Sequence, residues 1–224
     1  MDKRRLAVIL ALAALIAVTL GIWLRLAPPR AVLAQQSSGA TLRDIAKGNG
    51  GKASIVIQPD RSIIHLDLVD LAKASDVVVV AQIEGNRCVV SSDERSVTTD
   101  YNVTIAEAIK GDVRQGSATV VGVPGGLALF EDEHALPIAE RTQAHVLLRG
   151  FIKPKNGATY VLFLRRESVP GRFEITGGPQ GAFDVSTSAV VAADMVTTDP
   201  LVHNHDKMSS TVFLQLVRAA CAGH

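Results

Sequence analysis

The best metal candidate in this chain is His203-Asn204-His205-Asp206. Two imidazoles and a carboxylate so close together could ligate zinc, with Asp199 or His224 adding a donor, because a structural zinc site wants four well-placed ligands. The same run also reads as the polar approach to a final helix. His203, His205 and Asp206 are therefore the metal-ligand candidates, and both readings stand at this point.

Other clusters fit chemistry less well. Glu131-Asp132-Glu133-His134 gathers carboxylates but lacks the alternating ligands and the sharp-turn glycine of a calcium loop, so it reads as a solvated loop tip. Gly177-Gly178-Pro179-Gln180-Gly181 is glycine-rich yet lies between two strand-like runs. Phosphate-cradling loops lead instead into a helix whose first amides do the work. No Gly-x-Ser-x-Gly elbow occurs, and Cys88 has no histidine near it in sequence. His65 and His145, beside or within apolar runs, read as structural histidines. The expectation is no catalytic residue, no cofactor and no enzyme. What remains is a non-enzymatic binding or interaction module of unknown ligand. The alternative is an extracytoplasmic metal-binding protein using His203 and His205.

The elements that must position these residues begin with a leader. Met1 to Arg5 is a cationic head, and Leu6 to Leu24 follows without a charge. At helical rise that run spans roughly 28 Å, close to the thickness of a bilayer's hydrocarbon core. The lysine and arginines before it favour a cytoplasmic head and export of the rest. Two fates fit residues 1–34. The length of the run and Trp23 suit a retained anchor spanning the membrane through residues 6–24. Val32-Leu33-Ala34 before Gln35, after Pro28-Pro29, suits a cleaved signal. Either way the body is predicted in the cell envelope, on the outer side of the cytoplasmic membrane. Removing Asp2 and the five cations Lys3, Arg4, Arg5, Arg25 and Arg30 from 23 basic and 22 acidic residues leaves 18 and 21. A net charge of about −3 gives no electrostatic reason to bind nucleic acid. Outside the cytoplasm Cys88 and Cys221 could form a disulfide; the alternative is that the fold holds them beyond bridging range.

Residues 35–60 read as a flexible tether of small polar residues, interrupted by a short helix at 41–47 and a strand at 53–57. A short helix over 66–74, with Asp67 and Asp70 early in it, leads into the domain at 61–186. Val77 to Ile83 is apolar on both alternating sets, the pattern of a strand covered on both faces. From Val97 to Lys110 the alternation is clean, with Tyr101, Val103, Ile105 and Ile109 on one side. Glu107 breaks it, which predicts a bulge near the strand end. Residues 118–123 give another strand and 127–142 a long polar excursion. Residues 144–151 and 159–165 read as a hairpin around Asn156-Gly157. In the C-terminal segment, 187–224, a helix over 209–220 repeats Val212, Phe213, Leu216, Val217 and Ala220 on one face.

Five to seven short strands with one helix before them and one after predict a mainly β protein. The expected form is a small OB-like barrel, closed or partly open, behind the N-terminal hydrophobic helix. Ala74-Ser75-Asp76 running into Val77–Val80, then Tyr101 through Lys110-Gly111-Asp112, then Ala118–Val121 and Tyr160–Leu164, occur in an order that resembles uncharacterised exported bacterial proteins. Those are built on an "ADVVVVG…VLKGD…VLFL" pattern, which is similar to the OB-type barrel of netrin-like and tissue-inhibitor-of-metalloproteinase domains. The resemblance covers about residues 66–185 and implies the barrel but no activity. Inhibitors of that type reach the protease zinc with a free N-terminal cysteine. Here no cysteine precedes Cys88, so that chemistry is not implied. A protein or envelope-polymer partner, met by the loop 124–143 and the barrel face, is the remaining expectation.

Overall fold

In a computed structural model of the chain, the described residues are 31–32, 39–58, 64–195 and 199–223. The predicted leader lies outside them except for Ala31 and Val32. Among the described residues no helix is long and apolar enough to cross a membrane. All but Ala31 belong to one unit, residues 32–224.

The unit is mainly β. Its strands are β1 (Ala31–Val32), β2 (Lys52–Ile57), β3 (Val77–Val90), β4 (Val97–Lys110), β5 (Ala118–Pro124) and β6 (Gly126–Leu129). They continue as β7 (Gln143–Leu148), β8 (Thr159–Arg166), β9 (Arg172–Ile175), β10 (Ala182–Asp184) and β11 (Val191–Ala192). Helices are α1 (Leu42–Gly48), α2 (Leu68–Ala74), α3 (Pro200–His205) and α4 (Ser210–Ala222). The smaller sheet has the order β1-β2-β7-β6 and the larger β11-β10-β8-β3-β4-β5-β9. In addition β9, parallel to β5, pairs antiparallel with β8. Backbone pairing therefore runs in a circuit through β3, β4, β5, β9, β8 and back to β3.

The two-faced run of β3 forms because both its faces are covered. Val77, Val79, Ala81 and Ile83 point into a cluster with Tyr101, Val103, Leu162 and Phe173. Val78 and Val80 point the other way, against α2, α3 and α4, where Phe163, Phe183 and Phe213 meet. Those rings stack with centroids 6.2 and 4.8 Å apart. Burying one such aliphatic side chain is worth about 1.5–3 kcal/mol. By comparison the half-exposed ion pair of Glu107 with Arg218 of α4, at 2.8 Å, contributes under about 1 kcal/mol. The helices are held by apolar contact, and the ion pair trims their edge.

Glu107 is where the alternation predicts a bulge, and the register of β3 against β4 does shift there, between Val80 and Ala81. The irregularity turns Glu107 out to Arg218. It also corrects one assignment. Ile109, expected on the face of Tyr101 and Val103, packs with the helix-side cluster instead, because the shift reverses the parity of the strand end.

The strand end then makes a joint. Lys110 Nζ donates to the carbonyls of Ala72 at 2.7 Å and Ser75 at 2.9 Å, satisfying the C-terminal end of α2. Gly111 follows at φ 89°, so close that a Cβ would lie 2.5 Å from the carbonyl oxygen of Asp76. Asp76 in turn accepts the Arg166 N–H on its carboxylate at 2.8 Å and donates its own N–H to Leu164 at 2.9 Å.

Several expectations need correction. Residues 39–58 are folded rather than a tether: α1 carries a Thr41–Asp44 capping box, and Leu42, Ala46, Ala53 and Ile55 are buried with Ala128, Phe130 and Val146. The polar excursion after Gly126 opens with β6, which pairs with β7, so its first residues are sheet. Residues 144–151 and 159–165 form no hairpin: β7 pairs with β2 and β6, whereas β8 pairs with β3, β9 and β10. Asn156-Gly157 is a turn that hands the chain from one sheet to the other. On α4 the buried set is Phe213, Val217, Ala220 and Cys221; Val212 and Leu216 stay exposed because the apolar stripe is wider than its contact. Cys88 and Cys221 are both free thiols. Cys88 Sγ accepts from the Leu127 N–H at 3.3 Å, while Cys221 is buried on the inner face of α4, so no bridge joins them.

Two predictions follow from this packing. Gly111→Ala forces a Cβ into the Asp76 backbone at a left-handed φ and is expected to cost about 2–4 kcal/mol. Lys110→Met, which removes two charge-assisted hydrogen bonds, costs about 2 kcal/mol; denaturant titration measures both. His145 on β7 is held below its ordinary pKa by burial and by the Lys153 ammonium, whose Nζ is 3.4 Å away. The fold thus favours the neutral ring, while the unfolded chain takes up a proton below about pH 6.5. Stability falls on acidification through that range, and His145→Gln should flatten this part of a melting-temperature profile.

Candidate functional site

A cleft of about 340 Å³ opens where the ends of β2 and β7 approach β5, β8, β9 and the turn that follows β9. Such a volume lies within the range of small-molecule sites. Its apolar lining includes Val123, Leu148, Phe151, Ile175 and Pro179, and its polar lining includes His65, Thr176, Arg165 and Glu174.

His65 is fixed in three ways. Gln180 is 2% exposed and uses one side-chain amide to make both hydrogen bonds a neighbouring strand would make. Its Oε1 accepts the His65 N–H at 3.1 Å, and its Nε2 donates to the His65 carbonyl at 3.2 Å. The same Nε2 donates to Asp199, the residue that caps α3. The ring is oriented by Asp70, whose Oδ2 lies 3.1 Å from Nδ1. Asp70 sits in the first turn of α2, which Asp67 caps by accepting the Asp70 N–H at 2.8 Å. With the Nδ1 proton directed at the carboxylate, Nε2 of the neutral ring is an acceptor. The third hold is steric. Gly177, at φ 66°, comes so close that a Cβ would stand 2.8 Å from His65 Cδ2.

Thr176, next to that glycine, is buried, and its hydroxyl has no hydrogen-bond partner among the described residues. Its N–H is used, donating to Phe163 at 2.9 Å. A buried hydroxyl left unpaired costs about 1–3 kcal/mol, so this one marks a place where a partner is missing. Arg165 and Glu174 pair at 2.6 Å on the exposed wall and neutralise each other.

No family model and no curated protein matches the chain. The site therefore has to be read from its own geometry. The expected metal residues sit elsewhere and face apart. His205 Nδ1 donates to the Leu201 carbonyl at 2.7 Å, and its ring packs on Phe213 at 5.7 Å. Asp206 ends α3 and accepts the Ala192 N–H at 3.4 Å, while His203 is exposed. Among the described residues no three His, Cys, Asp or Glu side chains are grouped to hold a metal; His224 lies outside them. In the acidic run, Asp132 pairs with Arg43 at 2.6 Å, and the guanidinium lies 4.4 Å over the Phe130 ring.

Sequence reasoning took His65 for a structural histidine and passed over Thr176 and Gln180. A signal existed for the first, since Asp70 follows it by five residues at a helix start. For Gln180 the signal was a long polar side chain within a glycine-rich turn, where a loop with no role would leave it in water.

Asp70→Asn is expected to release the His65 tautomer. Long-range proton–nitrogen correlation of the ring should change from a single Nδ1–H form to a mixture of forms. Stability should change by under about 1 kcal/mol, because Asp70 is half-exposed.

Proposed function

We propose that this chain is a non-enzymatic binding module of the cell envelope, carried there by residues 1–34, built on an OB-type barrel, with its ligand held in the cleft beside His65. The observation that carries the reading is the buried, unpartnered Thr176 hydroxyl in the wall of a half-apolar cleft that also presents an oriented histidine. The circuit of five paired strands supports the barrel. So does its order: β3, β4 and β5 follow one another as neighbours, and β8 returns beside β3 in the manner of a Greek key. The apolar run 6–24 supports a membrane tether or an export signal. The absence of net positive charge on the body speaks for a protein or envelope-polymer partner over nucleic acid.

A binding role fits the groups present better than turnover does. A histidine oriented by a carboxylate is half of a nucleophilic device, but Thr176 is a hindered secondary alcohol and no distance in the structure couples it to His65. The test is native mass spectrometry of the full chain purified from its envelope, beside Leu148→Trp, which fills the cleft. A bound species present in the parent and lost in the variant is the expected result. Retention of that species by Leu148→Trp, or steady hydrolytic turnover by the parent, overturns the reading.

A further inference from the structure

We infer that the ligand's head is a neutral group with a hydrogen-bond donor and an acceptor side by side, a carboxamide or a backbone peptide unit, attached to an apolar body. The inference rests on the reading of the cleft as the binding site and goes on to name the chemistry it selects.

Among the described residues of the wall, charge favours neither kind of ion. A carboxylate ligand needs an unspent cation, yet the one guanidinium among them, Arg165, is taken by Glu174 at 2.6 Å. An ammonium ligand needs an unspent carboxylate in the wall, yet Glu174 is held by Arg165 and Asp70 is not among the residues that line the cleft. What the wall leaves open is neutral and two-sided. Thr176 Oγ1 has no partner among the described residues and can donate its proton. His65 Nε2 has no partner among the described residues and, with Nδ1–H turned to Asp70, can only accept. A primary amide matches both, its carbonyl accepting from Thr176 and its N–H donating to His65. Leu148, Phe151, Ile175 and Pro179 offer the apolar surface against which a branched aliphatic body would lie. A peptide presenting a leucine-like side chain beside an exposed backbone amide has this chemistry.

The experiment uses three probes of one shape and different heads: 4-methylpentanamide, 4-methylpentanoate and 3-methylbutylammonium. Each is titrated into the full chain in nanodiscs while the methyl resonances of Leu148 and Ile175 are followed. The amide is expected to bind at least about tenfold more tightly than either ion. Thr176→Val should weaken it by about tenfold, the loss that one hydrogen bond accounts for, and Thr176→Ser should restore it. The methyl spectrum of each free variant reports whether its fold is intact. Tighter binding of the carboxylate or the ammonium overturns the inference while leaving the cleft as a binding site. Amide binding indifferent to both Thr176 substitutions overturns it as well. If none of the probes moves these resonances while Leu148→Trp still expels a native ligand, the head-group assignment fails and the binding reading survives.

Discussion

The architecture turns on a strand that cannot tolerate water on either side. From Val77 to Ile83 both faces of β3 are apolar, so two separate layers must cover it. One is supplied by closing the neighbouring strands around it, the other by α2, α3 and α4. Each layer alone would leave a row of valines exposed, and the surface cost of that outweighs every ion pair in the molecule. The remaining elements can be read as answers to this requirement. β8 repeats the pattern beside β3, with Tyr160, Leu162 and Leu164 inward and Val161 and Phe163 toward the helices.

The runs around Asp76, Lys110-Gly111 and Leu162–Leu164, far apart in the chain, are neighbours in space. Lys110 reaches the end of α2, Gly111 lies against the backbone of Asp76, and Asp76 ties to Leu164 and Arg166. Their chemistry is fully spent on joining a helix to the strands. The polar groups of this joint already have partners, and none of them is among the residues that line the cleft.

Legibility in the sequence followed the range of the forces involved. Helix α2, the double-faced β3, the alternation of β4 and the outward turn at Glu107 are local patterns, and they were readable. The pairing of β7 with β2 was not, because a parallel neighbour ninety residues away leaves no local mark, whereas Asn156-Gly157 suggests a hairpin wherever it stands. Residues 39–58 misled through their glycines and polar flanks, although Leu42, Ala46 and Ile55 already carried the spacing of a buried face. The site was the least legible part. His65 is over a hundred residues from Thr176 and Gln180 in the chain, and what distinguishes them, a hydroxyl without a partner among the described residues and an amide standing in for a strand, exists only after folding.

That substitute strand has a consequence for how the protein can change over time. Because one amide on the turn after β9 grips the backbone of the histidine, the two segments form a single mechanical piece though over a hundred residues separate them. Drift in the turn's length or composition would carry the imidazole with it. A new specificity would therefore arise more readily from the greasy lining residues Leu148 and Phe151 than from the polar ones.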